Sequence, residues 1–170
     1  MKKILIIDTG GTFNKVYNPL TGSLDIEKEG KALKSIAKEW LIELKSLNII
    51  GKDSLDMTQN DREKILQTIK KSNFKRIIIV HGTDTIDKTA KHLAEAKLNR
   101  EIILTGAMVP FSINPIEATA NLALAYGYLQ ILDQNGIYIA LNGTVDTYDK
   151  VIKNRKKGKF ERATVYENKI

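Results

Sequence analysis

The chain has 170 residues, 27 Lys and Arg against 20 Asp and Glu, and a formal net charge of +7, a size that supports one well-packed core and is short for two ordinary domains. It contains no cysteine, which excludes disulfides and thiolate metal sites and removes any argument for an oxidising compartment, so the cytoplasm is the expected location. With two histidines no metal or other cofactor is expected, and no apolar run approaches the roughly twenty residues of a membrane helix.

The N-terminus opens Met1-Lys2-Lys3 and continues Ile4-Leu5-Ile6-Ile7, but Asp8 cuts the apolar run, so it reads as a buried first strand over 3–7 and not as a signal peptide. Residues 19–23 are turn-rich and suit a mobile hairpin or lid. Over 31–47, Leu33, Ile36, Ala37, Trp40, Leu41, Leu44 and Leu47 fall at helical spacing and predict one amphipathic helix; 47–51 is a weaker strand candidate near a sheet edge. A second helix spans 61–71, with a capping arrangement of Thr58 and Asp61 placing its start near Thr58. Strands at 76–80, 101–104 and 137–141 alternate with helices at 85–96 and 115–132, the last with Pro115 suited to a first turn. Strict alternation predicts a three-layer α/β/α sandwich with a mainly parallel sheet and right-handed crossovers, its ligands beyond the carboxyl ends of the strands.

Two strand ends carry the chemistry. Asp8-Thr9-Gly10-Gly11-Thr12 pairs glycines that allow a tight turn with a hydroxyl at its tip, and His81-Gly82-Thr83-Asp84-Thr85 packs glycine, hydroxyl and carboxylate into one turn before a helix. Either alone is ordinary strand-to-helix punctuation; together, facing one crevice, they offer a nucleophile and oxyanion donors for acyl transfer. The first loop lacks the GK[ST] of a Walker motif and the third glycine of a dinucleotide fingerprint. An aspartic-protease reading of Asp8-Thr9-Gly10 needs an all-β scaffold, and a sugar-kinase phosphate loop would be followed by a β-meander where a long helix is expected here.

Thr9-Gly10-Gly11-Thr12, His81-Gly82-Thr83-Asp84-Thr85 and Leu104-Thr105-Gly106-Ala107-Met108, in this order, resemble the L-asparaginase family of amidohydrolases. Weaker matches are Asp53-Ser54-Leu55-Asp56-Met57-Thr58, similar to the family's substrate-carboxylate loop, and Asn142-Gly143-Thr144-Val145 through Val151-Ile152-Lys153, similar to the segment with its catalytic lysine. The resemblance implies the fold of the family's N-terminal domain over 1–170, a single domain, with the smaller C-terminal domain absent. It implies Thr12 as the nucleophile that attacks a side-chain carboxamide, as in L-asparagine, giving an acyl-enzyme and ammonia before water releases the acid. Thr83, Asp84 and Lys153 form the implied second cluster, with Lys150 competing for the lysine's place; a lysine acting as base must be neutral, which burial can favour. Ser54 would hold the substrate carboxylate, Asp84 its α-ammonium, and backbone N–H groups near Gly11 and Thr83 the oxyanion. His81 reads as a structural hydrogen-bonding group.

Where the family places a hairpin Tyr that activates the first Thr, this sequence has Leu24 and Asp25, leaving Tyr17 as the candidate replacement; Leu55 stands where many members have a polar residue holding the substrate amine. Two other functions compete: a non-catalytic small-molecule or protein-binding module on the same fold, and nucleic-acid binding through Lys150, Lys153, Arg155, Lys156, Lys157, Lys159 and Arg162. Lysines elsewhere lie beside acidic residues, which favours solvated surface over a nucleic-acid contact. The family's assembly implies a homodimer or higher homo-oligomer, for which the apolar residues of 115–132, Leu122, Leu124, Tyr126, Tyr128, Leu129, Ile131 and Leu132, offer a surface, the alternative being that this helix simply lies in the core.

Overall fold

In a computed structural model, which describes residues 2–163, β1 (Ile4–Gly10) is followed by a hairpin of β2 (Lys15–Tyr17) and β3 (Leu24–Ile26), then α1 (Lys31–Glu39), β4 (Lys45–Lys52) and α2 (Gln59–Lys71). There follow β5 (Arg76–Val80), α3 (Ile86–Glu95), β6 (Glu101–Thr105), α4 (Pro115–Ile131), β7 (Gly136–Leu141), β8 (Thr144–Thr147), β9 (Val151–Asn154) and β10 (Lys159–Arg162). The main sheet has six strands in the order β4-β1-β5-β6-β7-β8. Its first five strands are parallel, and β8 returns antiparallel to β7 through Asn142-Gly143, both with positive φ as a tight hairpin turn requires.

The central strands are buried on both faces, as apolar runs without polar alternation demand. Leu5, Ile7, Ile77, Ile79, Ile102 and Leu104 pack with Ile65, Ile69, Ile86 and Leu93 of α2 and α3 on one side. Ile4, Ile6, Ile78, Val80 and Ile103 pack with Leu33 and Ile36 of α1 and with Leu122 and Leu129 of α4 on the other. Each such side chain contributes roughly 1.5–3 kcal/mol of hydrophobic stabilisation. The result is the three-layer α/β/α sandwich with a mainly parallel sheet expected above.

Three expectations need correction. The predicted helix over 31–47 stops at Trp40, because Leu41 takes a left-handed conformation with φ 55 and the chain turns to lay β4 beside β1. Leu44, just before β4, packs partly against the core and Leu47 is half exposed on the edge strand, so their helical spacing is incidental. The crossovers are not all of one hand. β5 to β6 and β6 to β7 step in the same direction across the sheet, yet α3 packs on one face and α4 on the other. The α4 connection therefore winds opposite to the other three. The loop after β6 is held on the α1 face where Phe111 donates its N–H to the Phe13 carbonyl at 3.4 Å and stacks on the Phe13 ring, 6.5 Å between centroids.

The third concerns the apolar residues of α4 expected at a dimer surface. Leu122, Leu129 and Leu132 are buried in the core, Leu124, Tyr126 and Tyr128 pack partly against it, and Ile116 and Ile131 are the large apolar residues of α4 left exposed. The helix is apolar around most of its circumference because it covers β6 and β7 while also meeting Trp40, whose ring lies 5.7 Å from that of Tyr126. No helix among the described residues is long and apolar enough to cross a membrane.

Candidate active site

From β1 the chain goes to β4 on one side of the sheet and afterwards to β5 on the other, so the order reverses between β1 and β5. Diverging connections leave a crevice at the carboxyl ends of such strands. The two glycine loops lie there. Gly10 and Gly11 take φ of 105 and 78, conformations that side-chain-bearing residues rarely adopt. A methyl group on Gly11 would meet the Cα of Gly82 at 2.5 Å, one on Gly82 the Cβ of Ser54 at 2.6 Å, and one on Gly106 the His81 carbonyl at 2.2 Å. The loops after β1, β4, β5 and β6 thus touch backbone to backbone, which explains glycine at these positions and brings Thr12, Ser54 and Thr83 into one neighbourhood.

Hydroxyls and amides lock the strand ends behind this surface. Thr9 Oγ1 donates to the Val80 carbonyl at 2.8 Å and Thr105 Oγ1 to the Ala140 carbonyl at 2.7 Å, each stapling one strand to the next but not to the crevice. Asn121 of α4 donates to the Gly106 carbonyl at 2.9 Å and accepts from the Asn142 N–H at 2.9 Å. His81 is fully buried, with Nδ1 2.7 Å from the Gly82 carbonyl and Nε2 2.8 Å from Thr89 Oγ1. Burial lowers its pKa to about 4, so it is neutral at physiological pH and positions the loop.

Beneath Ser54 lies a buried arginine. Arg62 of α2 donates to Thr89 Oγ1 at 3.2 Å, the Met57 carbonyl at 3.1 Å and Thr85 Oγ1 at 3.3 Å, and Thr85 Oγ1 donates to the Ser54 carbonyl at 2.7 Å. Ser54 itself is 1% exposed, its Oγ accepting the Asp84 N–H at 3.2 Å. Sequence reasoning passed over Arg62, although it falls on the apolar stripe of α2 with Ile65, Leu66 and Ile69, where a buried cation needs partners.

The second cluster assembles around a lysine. Lys153 on β9 donates from Nζ to Thr83 Oγ1 and to Asp84 Oδ1, both at 2.9 Å. Lys150, two residues before β9's Ile152, makes no such contact. Arg155 closes over the same carboxylate, Nη1 donating to Asp84 Oδ1 at 2.7 Å and Nη2 to the Asp84 carbonyl at 3.2 Å. Hydrogen bonds from Lys153 and then Arg155 hold the Asp84 carboxyl below the usual carboxylate range. Next to Ser54, Asp53 pairs with Lys15 at 2.6 Å; burial pushes its carboxyl up, but Lys15 and the Leu55 N–H outweigh that and leave it lowered.

Thr12 opens a short 3-10 turn, Thr12–Asn14, and is half-buried. The Gly11 N–H, expected near the oxyanion, already donates to the Lys52 carbonyl at 2.9 Å. The N–H groups of Thr12 and Thr83 donate to no other group among the described residues and remain as the donors of that surface. Tyr17 is 63% exposed on β2 and makes no hydrogen bond to Thr12. Leu55 is exposed beside Ser54. The basic residues of the C-terminal segment are largely paired: Lys157 and Lys159 with Glu161, and Arg162 with Asp146.

Sequence reasoning missed two further groups here. Arg155 was one of a run of basic residues, and its partner lies 71 positions away. Asp8 is 3% exposed and holds the loop after β1 from both sides, accepting the Gly10 N–H at 3.0 Å and Asn14 Nδ2–H at 2.6 Å. Burial pushes its carboxyl up to about 6. The signal available was an acidic residue in the last turn of an otherwise apolar strand.

Fold and site together define a doubly wound α/β domain whose switch-point crevice is lined by threonine hydroxyls and a lysine. Residues 3–160 match the N-terminal domain of asparaginase, and the chain belongs to the asparaginase family. Among solved structures it is similar to the thermostable L-asparaginase from Thermococcus kodakarensis, TM-score 0.80 and 23% identity over 95% of this chain and 51% of that one. It is similar in the same degree, TM-score 0.80 and 23% identity, to a probable cytoplasmic L-asparaginase from Campylobacter jejuni, covering 95% of this chain and 54% of that one. L-asparaginase I from Vibrio cholerae O1 biovar eltor aligns with TM-score 0.75 and 22% identity over 97% and 52%. The chain spans about half the length of these structures, and at such identities the likeness is one of fold.

Proposed function

We propose that this chain is an amidohydrolase that converts the side-chain carboxamide of L-asparagine or a related small carboxamide to the acid and ammonia. The observation that carries the reading is the Lys153 amine bridging Thr83 Oγ1 and Asp84 Oδ1 at 2.9 Å, beside the glycine contact that brings the Thr12 loop against the same turn.

Thr12 Oγ1 adds to the carboxamide carbon, and its proton passes through the crevice to the departing nitrogen, which leaves as ammonia. Water then adds to the resulting ester, and the acid leaves as Thr12 regains its proton. The unpaired N–H groups of Thr12 and Thr83 suit the oxyanion. Lys153 and Thr83 serve proton transfer, and Ser54 and Gly11 border the bound substrate. Tyr17 contributes only when the β2–β3 hairpin closes over Thr12. A cytoplasmic location and a homodimer or higher homo-oligomer belong to the same proposal.

Ammonia release from L-asparagine, L-glutamine, their D-forms and simple carboxamides is the test, with Thr12→Ala beside the parent. Turnover that disappears in the variant supports the reading, and equal rates in both sink it. A second reading, a non-catalytic binding module, is favoured by the exposed position of Tyr17, which leaves Thr12 without a hairpin hydroxyl. It expects a thermal shift with aspartate or asparagine and no ammonia.

A further inference from the structure

We infer that Arg155 makes this site selective for carboxamides that carry a carboxylate but no ammonium group: monoamides of dicarboxylic acids in preference to amino-acid amides. The inference rests on the amidohydrolase reading for its reaction, and on charge placement for its specificity.

Binding an α-ammonium requires a carboxylate with negative charge to spare. The carboxylates directly flanking the site hydroxyls are Asp84, next to Thr83, and Asp53, next to Ser54. Neither is free. Asp84 Oδ1 already accepts from Lys153 at 2.9 Å and from Arg155 at 2.7 Å, and Arg155 also reaches the Asp84 carbonyl, so the guanidinium straddles side chain and backbone of one residue. Asp53 is paired with Lys15 at 2.6 Å. Lys15 and Arg155 thus already balance the two carboxylates before Lys153 is counted, and an incoming ammonium meets the Arg155 charge at the carboxylate it would need. Like-charge contact of this kind discriminates strongly between ligands.

The neighbouring residue offers no compensation. Leu55, exposed beside Ser54, has no acceptor for an ammonium hydrogen. A ligand carboxylate, by contrast, meets the exposed guanidinium of Arg155, which keeps N–H donors beyond the two spent on Asp84, and unpaired N–H groups, and a guanidinium suits a planar carboxylate. The chemistry of the crevice therefore fits a carboxamide at one end of a short chain, an anion at the other, and methylene in place of the amino-bearing carbon.

Two ligand pairs test this: succinamate against L-asparagine as substrates, and succinate against L-aspartate as products, measured by ammonia release and by titration calorimetry. Arg155 is exposed, so Arg155→Gln should fold, which circular dichroism checks. The expected result is a parent preference for the desamino ligand of about tenfold or more, which Arg155→Gln shifts by about tenfold toward the amino acid. A parent that prefers L-asparagine and L-aspartate, or a ratio unchanged in Arg155→Gln, overturns the inference. If neither amide is hydrolysed but succinate binds in preference and the variant loses that preference, the specificity stands and the amidohydrolase reading fails. If the parent binds neither product and turns over neither amide, the inference is overturned with it.

Discussion

Gly11 and Gly82 lie so close that a methyl group on the first would stand 2.5 Å from the Cα of the second, and one on Gly82 would stand 2.6 Å from Ser54 Cβ. Three loops from three strands meet there, two through their glycine backbones and the third through the Ser54 side chain and N–H. Gly82→Ala should therefore push Ser54 away from the loop after β5, at a cost of about 1–3 kcal/mol. Urea denaturation measures it; a loss under 0.5 kcal/mol, on the order of a neutral surface change, would mean that the loops move freely.

Lys153→Met removes the bridge to Thr83 and Asp84 while Arg155 keeps Asp84 paired. Turnover should fall about a hundredfold or more, as expected for losing a proton-transfer group. The melting midpoint should move by only a few degrees, on the order of 1 kcal/mol. Thr83→Val, which keeps the side-chain shape and removes only the hydroxyl, should likewise lower kcat at constant fold. Full activity in both variants would remove this cluster from the chemistry.

Arg62→Leu should destabilise by about 2 kcal/mol, because the buried Met57 carbonyl loses its donor and the Thr85 link to Ser54 loses its support. The denaturation midpoint should drop with an unchanged m-value. Substrate affinity should weaken too, since Ser54 is held through that link. A variant of parental stability would show that water replaces the guanidinium without cost.

Asp8 gives a pH dependence with a definite sign. Its carboxyl holds a proton up to about 6 in the folded chain, against 3.8 unfolded, because burial disfavours its charge. Its contribution to stability is therefore fully present below about pH 4 and is lost as pH rises through 6, by about 3 kcal/mol in all. Glu27, the other charge acting on it, raises the value further. Asp8→Asn keeps an acceptor for the Gly10 N–H and the Asn14 amide and should flatten this part of the profile. Parallel stability curves for parent and variant between pH 4 and 7 would refute the assignment.

Much of the fold was legible because several levels of signal agreed. Thr58 and Asp61 form the reciprocal cap expected, the Thr58 hydroxyl accepting from the Asp61 N–H at 3.2 Å and the Asp61 carboxylate accepting from the Thr58 N–H at 2.8 Å. Asn114 and Pro115 start α4 as their chemistry suggests. The end of α1 was not legible, since neither glycine nor proline marks Leu41, and the apolar spacing ran on into a strand. β9 and β10 were hidden because a short basic hairpin shows little apolar alternation. At the site, the residue types of Thr12, Thr83, Asp84 and Lys153 were readable from motifs. The Arg155–Asp84 pair was not, because its partners stand 71 positions apart, and the place of Arg62 on the apolar stripe of α2 marked its burial but not its partners.

Strand β1 carries the Thr12 loop and is made before the strands it pairs with, which come much later: Leu5 lies opposite Lys45, and Ile4 opposite Arg76. During synthesis the loop must wait, unsupported, until β5 has left the ribosome and slotted in beside it. Contacts so distant along the chain make folding slow. The nascent chain therefore has a period in which an apolar strand with two open edges is exposed, and the yield of folded protein should depend on how long that interval lasts.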